Sequence, residues 1–280
     1  MSLATPAQIV DAAEYGLLKK ATTPFRTTLI SAIFAGAFIA LGFVFYTTSQ
    51  MGAAQMPYGL AKIVGGLAFS TGLAMVIITG ADLFTSTSMT LMLGVGGKLP
   101  WPRLIQHWGV VYVGNFIGAL CVALIVFYSG TPHQGHGAWG AAALNTAISK
   151  VSHSPLESVL LGILCNFMVC MAVWLAFAGK TLADKILAIT LPIALFVSAG
   201  FEHSIANMFM IPMGLLVKHA GADEVLTAAG NPAMGGLTIP DFLLHNLIPV
   251  TLGNILGGGI FVGLGMFFWH RRDREAHSNA

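Results

Sequence analysis

Apolar runs dominate this chain, and polar side chains fall between them or at a few points inside them. Six stretches match the length of a bilayer-crossing helix, about 20 residues. They lie near residues 27–46, 58–93, 104–128, 156–178, 182–217 and 242–269. The second and fifth, at about 36 residues each, are too long for one straight span and too short for two with a turn. Each carries polar groups near its middle: Gly80-Ala81-Asp82-Leu83-Phe84-Thr85-Ser86-Thr87 in one, Gly200-Phe201-Glu202-His203-Ser204-Ile205-Ala206-Asn207 in the other. Polar side chains at that depth are costly and mark pathways. Both stretches read as half-helix, irregular loop, half-helix.

Local signals fix other boundaries. Ser154-Pro155-Leu156-Glu157 predicts a capping box with proline at the first helical position. Thr238-Ile239-Pro240-Asp241 is a weaker version, and Thr5-Pro6 opens a short N-terminal helix. Its stripe of Ile9, Ala13 and Leu17 suits either a membrane surface or the protein body.

The halves repeat. Gly114-Asn115-Phe116-Ile117-Gly118 in the third stretch matches Gly253-Asn254-Ile255-Leu256-Gly257 in the sixth, and the broken second matches the broken fifth. Three spans plus three predicts halves of opposite orientation. The Gly-Asn pairs read as tight helix-packing sites. The organisation is one transmembrane domain over 1–280: an amphipathic N-terminal helix within 1–26, repeats at 27–130 and 154–270, and a tail at 271–280.

Composition agrees: 56% hydrophobic and 9% charged residues, against about 25% charged in globular domains, define an all-α membrane protein. A net charge of +2 gives no basis for a nucleic-acid partner. With both termini inside, Lys19, Lys20, Arg26, Lys98, Arg103, Lys180, Lys185, Arg271, Arg272 and Arg274 are cytoplasmic, against Lys62, Lys150 and Lys218 outside. Residues 1–26 lack the apolar core of a signal peptide. Cys121, Cys165 and Cys170 form no CxxC pair and read as apolar-facing residues.

His203 is the strongest candidate for chemistry. An imidazole titrates at about 6.5, so it suits proton exchange with a passing weak acid; a neutral ring bonded to freed carbonyls is the structural alternative. Thr85, at the break in the other half, has a hydroxyl that can bind an oxyanion, while Ser86, Thr87 and Ser88 compete as helix caps. Asp82 and Glu202 read as structural, satisfying free N–H groups at the half-helix starts. Lys150 is a partner for them or an attractor of anions. Phe69, Leu73, Leu83, Phe84 and Phe196 flank the breaks and suit either a dewetting constriction or ordinary packing. Asn231-Pro232-Ala233 stands alone and reads as a turn. His133, His136 and His153 read as exposed loop residues, not a metal site. No nucleophile–base pair, cofactor loop or metal cluster points to an enzyme, and no cofactor is expected.

The two broken-span motifs, with Met56-Pro57-Tyr58-Gly59, Tyr112-Val113-Gly114-Asn115 and Asn246-Leu247-Ile248-Pro249-Val250-Thr251, resemble the formate/nitrite transporter family. The resemblance covers nearly the whole chain. It implies an aquaporin-like six-transmembrane-helix protomer of two inverted three-helix repeats, with discontinuous second and fifth helices. It implies a homopentamer in the bacterial inner membrane with one pathway per protomer. The family's central threonine and histidine fall on Thr85 and His203, its constrictions on Phe69, Leu73, Leu83 and Phe196, and its pathway polar residues on Lys150, Asn166 and Asn254. It also implies an N-terminal helix that gates the pore and meets pyruvate formate-lyase. The expected activity is bidirectional, pH-dependent movement of formate, with nitrite, hydrosulfide or a neutral solute as alternatives. A membrane docking platform is the reading from outside transport.

Overall fold

The computed structural model describes residues 4–270, and among them there is no strand. The tail at 271–280, with Arg271, Arg272 and Arg274, lies outside the described residues. Helix α1 (Pro6–Thr22) starts on a capping box in which Thr5 receives the Gln8 N–H and the Gln8 side chain receives the Thr5 N–H. Then follow α2 (Phe25–Ser49), α3 (Tyr58–Thr79), α4 (Trp101–Tyr128), α5 (Ala138–Val151), α6 (Pro155–Ala178), α7 (Leu182–Ser198), α8 (Ser204–Ala220) and α9 (Ile239–Trp269). Five of these, α2, α3, α4, α6 and α9, are long and apolar enough to cross a membrane.

The second and fifth stretches are interrupted as their length predicted. Helix α3 stops at Thr79, and short helical turns resume over 84–95. Helices α7 and α8, 17 residues each, are separated by 199–203. Both interruptions carry a glycine in the left-handed region within their first two residues, Gly80 at φ +74° and Gly200 at φ +78°, a conformation that a Cβ disfavours. The capping box at Ser154 forms as expected, and Thr238 receives the Asp241 N–H.

Helix α2 packs on α4, and α6 on α9. Small residues set these approaches: a Cβ on Gly118 would lie 1.9 Å from the Ile33 carbonyl oxygen, and one on Gly257 2.2 Å from that of Ile163. Helix α9 is not uniform. It widens into π-helical turns at Phe242–Leu247 and Ile255–Leu264, and such insertions redirect side chains near functional sites.

One peripheral element differs from the sequence reading, and another settles between its two alternatives. The segment taken as an outer loop contains α5, whose Trp139 and Leu144 are fully buried. Its alanine-rich sequence lacks an N-terminal side-chain cap; it starts on Gly137 at φ +81°. Helix α1 lies on the protein body, burying Val10, Ala13, Leu17 and Ala21 among residues of α4, α6 and the 84–95 turns. Ion pairing between Lys98 and Glu14, and donation from Arg103 Nε to the Ala21 carbonyl at 2.9 Å, fasten it there.

Candidate functional site: two helix breaks that meet

Each half-helix after a break begins with free backbone N–H groups that need partners. Asparagines from neighbouring helices supply them in matching fashion. Asn115 of α4 accepts from the Phe84 N–H at 2.8 Å and donates to the carbonyls of Ala32 and Asp82 at 2.7 and 2.9 Å. Asn254 of α9 accepts from the Ser204 N–H at 2.9 Å and donates to those of Gly162 and Glu202 at 2.8 and 3.0 Å. The Gly-Asn repeat therefore does more than pack helices. It pins both loops.

This corrects one expectation and bears on two others. No hydrogen bond joins the side chain of Asp82 or Glu202 to a backbone N–H among the described residues, because the asparagines already hold the first free donors. Asn254, expected along a pathway, is fully buried and spent on backbone. Asn166 is likewise fully buried, donating to the carbonyls of Thr85 and Asn254 at 3.0 and 2.6 Å.

The carboxylates instead face lysines. Glu202 pairs with Lys150 of α5 at 2.9 Å and accepts from Asn207 at 2.6 Å and Asn246 at 3.0 Å. Of the two readings of Lys150, the partner reading matches this geometry. Asp82 has Lys20 of α1 at 3.7 Å, but Lys20 spends its hydrogen bond on the Ala81 carbonyl at 2.7 Å. The Asp82 Oδ1 atom is shut off from solvent and accepts nothing.

The two breaks meet at Thr85 and His203, whose Oγ1 and Nε2 lie 3.1 Å apart. The loop register makes Leu83, not Thr85, the counterpart of His203: each is the cap residue before its half-helix. His203 Nδ1 accepts the Ala206 N–H at 3.1 Å. That nitrogen is therefore unprotonated, and the neutral ring carries its hydrogen on Nε2, aimed at the Thr85 hydroxyl oxygen. Phe196 stacks on the imidazole with centroids 5.9 Å apart. Phe69 meets Phe196 edge-on at 5.7 Å and Phe43 at 5.1 Å. Phe69, Leu73, Leu83 and Phe196 are all buried in one core cluster. Phe43 was missed by sequence reasoning; it lies mid-helix in α2 with no polar neighbour to single it out.

Cavities approach this centre from both ends of α3. One, about 190 Å³, lies on the α1 side and is lined by Lys20, Gly80, Thr87, His107 and Lys185 among others. The other, about 100 Å³, lies on the α5 side and is lined by Phe43, Lys62, Lys150, Phe196, Glu202 and His203 among others. Of the loop histidines, His153 lines this second cavity, while His133 pairs with Glu224. No group of three or more histidine, cysteine or acidic residues suited to a metal occurs among the described residues.

Apolar spans, two interrupted helices and cavities converging from opposite ends define a membrane protein of the channel or transporter class. The chain belongs to the formate/nitrite transporter family: the model of that family matches residues 7–268. It is 45% identical over 277 residues to the formate channel FocA of Escherichia coli (strain K12), covering 98% of this chain and 97% of that one. It is 47% identical over 262 residues to FocA of Haemophilus influenzae, covering 93% and 92%. Among solved structures it is similar to a pentameric formate channel with formate bound (TM-score 0.81, 42% identity, 88% of this chain and 96% of that one) and to an FNT family ion channel (TM-score 0.77, 27% identity, 94% and 98%).

Proposed function

We propose that this protein is a bidirectional, pH-dependent formate channel of the bacterial inner membrane, a homopentamer with one pathway in each protomer. Similarity to formate channels over nearly the whole chain supports the substrate. The observation that carries the pathway is the Thr85–His203 contact between two cavities that open toward opposite ends. The matched asparagine bonds support an aquaporin-like protomer of two inverted three-helix repeats. The lysine and arginine distribution supports cytoplasmic termini, which makes the α1-side cavity the inner one. The exposed outer face of α1, including Tyr15, is then the surface open to a partner such as pyruvate formate-lyase.

Moving a bare carboxylate into a low-dielectric interior costs on the order of 20 kcal/mol before compensation. Two features offset it here. The Nε2–H of His203 and the hydroxyl of Thr85 exchange their mutual bond for bonds to a formate oxygen. The N-terminus of α8, opening beside His203, presents its positive dipole end to the same point. The aromatic cluster of Phe43, Phe69 and Phe196 excludes hydrated ions while passing a small acid that has shed its water. Bonded as it is, His203 works best as a neutral donor, because protonating Nδ1 would set its hydrogen against the Ala206 N–H.

Purified protein in liposomes tests this reading. Formate efflux is expected in wild type, and His203→Asn should lower it at least about tenfold, the equivalent of losing a charge-assisted bond of roughly 1.5 kcal/mol. Undiminished flux in the variant removes His203 from the pathway. Preferential flux of nitrite or hydrosulfide over formate overturns the substrate.

A further inference from the structure

His107, on α4, has no part in the centre just described. Its ring is only 2% exposed and lines the cavity on the α1 side. Neither ring nitrogen forms a hydrogen bond to another described residue, and Nε2 is sealed from solvent without a partner. Burying an imidazole without satisfying it is costly, so such a group in a cavity wall points to a ligand or a proton. The surrounding groups favour an anion. Lys20 of α1 and Lys185 of α7 line the same cavity, as does the Thr87 hydroxyl. Thr90 is already engaged, donating to the Thr87 carbonyl and accepting from Trp108 Nε1. The charges acting on the ring are Asp82 at the first break, Lys20, and Arg103 earlier on α4. Helix α6 contributes only Val173, Ala176 and Phe177 to this wall.

The contrast with His203 gives the site its role. Both nitrogens of His203 are engaged, by the Ala206 N–H and by Thr85. Neither nitrogen of His107 is engaged in this way. We infer that His107 is a second acid–base station, holding the carboxyl group of a small monocarboxylic acid in the α1-side cavity and exchanging a proton with it. In one direction the neutral imidazole takes the acid's proton, leaving a carboxylate and an imidazolium that releases the proton to cavity water. In the other, the imidazolium protonates an arriving carboxylate, and the neutral acid moves on toward Thr85 and His203. Lys20 and Lys185 keep the anion near the ring.

This inference rests on the formate-channel reading, and one experiment separates the two. Formate flux is measured in vesicles carrying the protein in one orientation, for wild type and His107→Gln, with the α1-side pH set at 5.5 and at 7.5. Bulk protonation of formate affects both proteins equally, so the ratio of wild-type to variant flux isolates the residue. Proton exchange at His107 ties the ratio to the α1-side pH, and the ratio is expected to change several-fold over this interval. A ratio independent of pH overturns the inference while leaving the channel reading intact. Wild-type vesicles that carry no formate overturn both. If His107→Gln does not fold, His107→Asn serves in the same assay. On folded wild-type protein, addition of sodium formate is expected to shift the ¹⁵N resonances of His107. Resonances that do not move overturn the inference.

Discussion

The two helix breaks share one backbone design and differ in how their acids are held. Each carries a left-handed glycine near its start and is pinned by an asparagine that takes the first free N–H of the half-helix. At the second break, Glu202 is 1% exposed and receives Lys150, Asn207 and Asn246. At the first, Asp82 is 4% exposed, and its buried oxygen receives no hydrogen bond. The acids therefore do not build the loops; they fasten a peripheral helix to each loop, α5 firmly and α1 loosely. The looser attachment lies beside the larger cavity and the unpartnered His107.

The sharpest way to break this comparison is to remove each lysine. Lys150→Met leaves Glu202 as an uncompensated buried charge, which costs about 3–5 kcal/mol. A large fall in the thermal unfolding midpoint in detergent is expected, with substantial recovery when Glu202→Gln is added. If Lys150→Met melts like wild type, the second break is not anchored through α5.

Removing the asparagines should instead affect both breaks alike. Asn115→Ala and Asn254→Ala each strand one N–H and one loop carbonyl, that of Asp82 or Glu202, in the interior, while the Ala32 and Gly162 carbonyls keep their helical bonds. Unsatisfied buried groups cost about 1–3 kcal/mol apiece, reduced where the loop relaxes, so about 2–4 kcal/mol is expected for either variant. Parallel melts on the two proteins check this, and a difference beyond about 1.5 kcal/mol between them would show that the breaks are not equivalent in backbone design.

Much of this arrangement was legible in the chain. Excess length and central polar groups announced both interruptions, and Gly80 and Gly200 marked where they start. Other features needed three dimensions. The Gly-Asn repeat was visible, yet Asn115 and Asn254 meet N–H groups 31 and 50 residues away, a pairing that spacing cannot reveal. Asp82 and Glu202 were read as loop holders because acids suit helix starts, but lysines from α1 and α5 claim them. Helix α5 was hidden because an alanine-rich segment starting on a glycine lacks the usual polar cap. His107 sits among ordinary residues at the end of a span, and only the cavity gives it meaning.

The smallest expected effect is at Lys20, and it tests the loose side directly. Its side chain is one-third exposed and 3.7 Å from Asp82, so solvent screens the pair. Partly exposed ion pairs contribute about 0.2–1 kcal/mol, and Lys20→Met should lower the melting midpoint only slightly. Its bond to the Ala81 carbonyl, charge-assisted but partly exposed, adds on the order of 1.5 kcal/mol. A double-mutant cycle with Asp82→Asn isolates the charge coupling from that carbonyl bond, which Asp82→Asn leaves in place. Coupling below about 1 kcal/mol is expected, against several for Lys150 with Glu202. Coupling of similar size at both breaks would mean that α1 is held as tightly as α5, and the difference drawn between the two ends of the molecule would disappear.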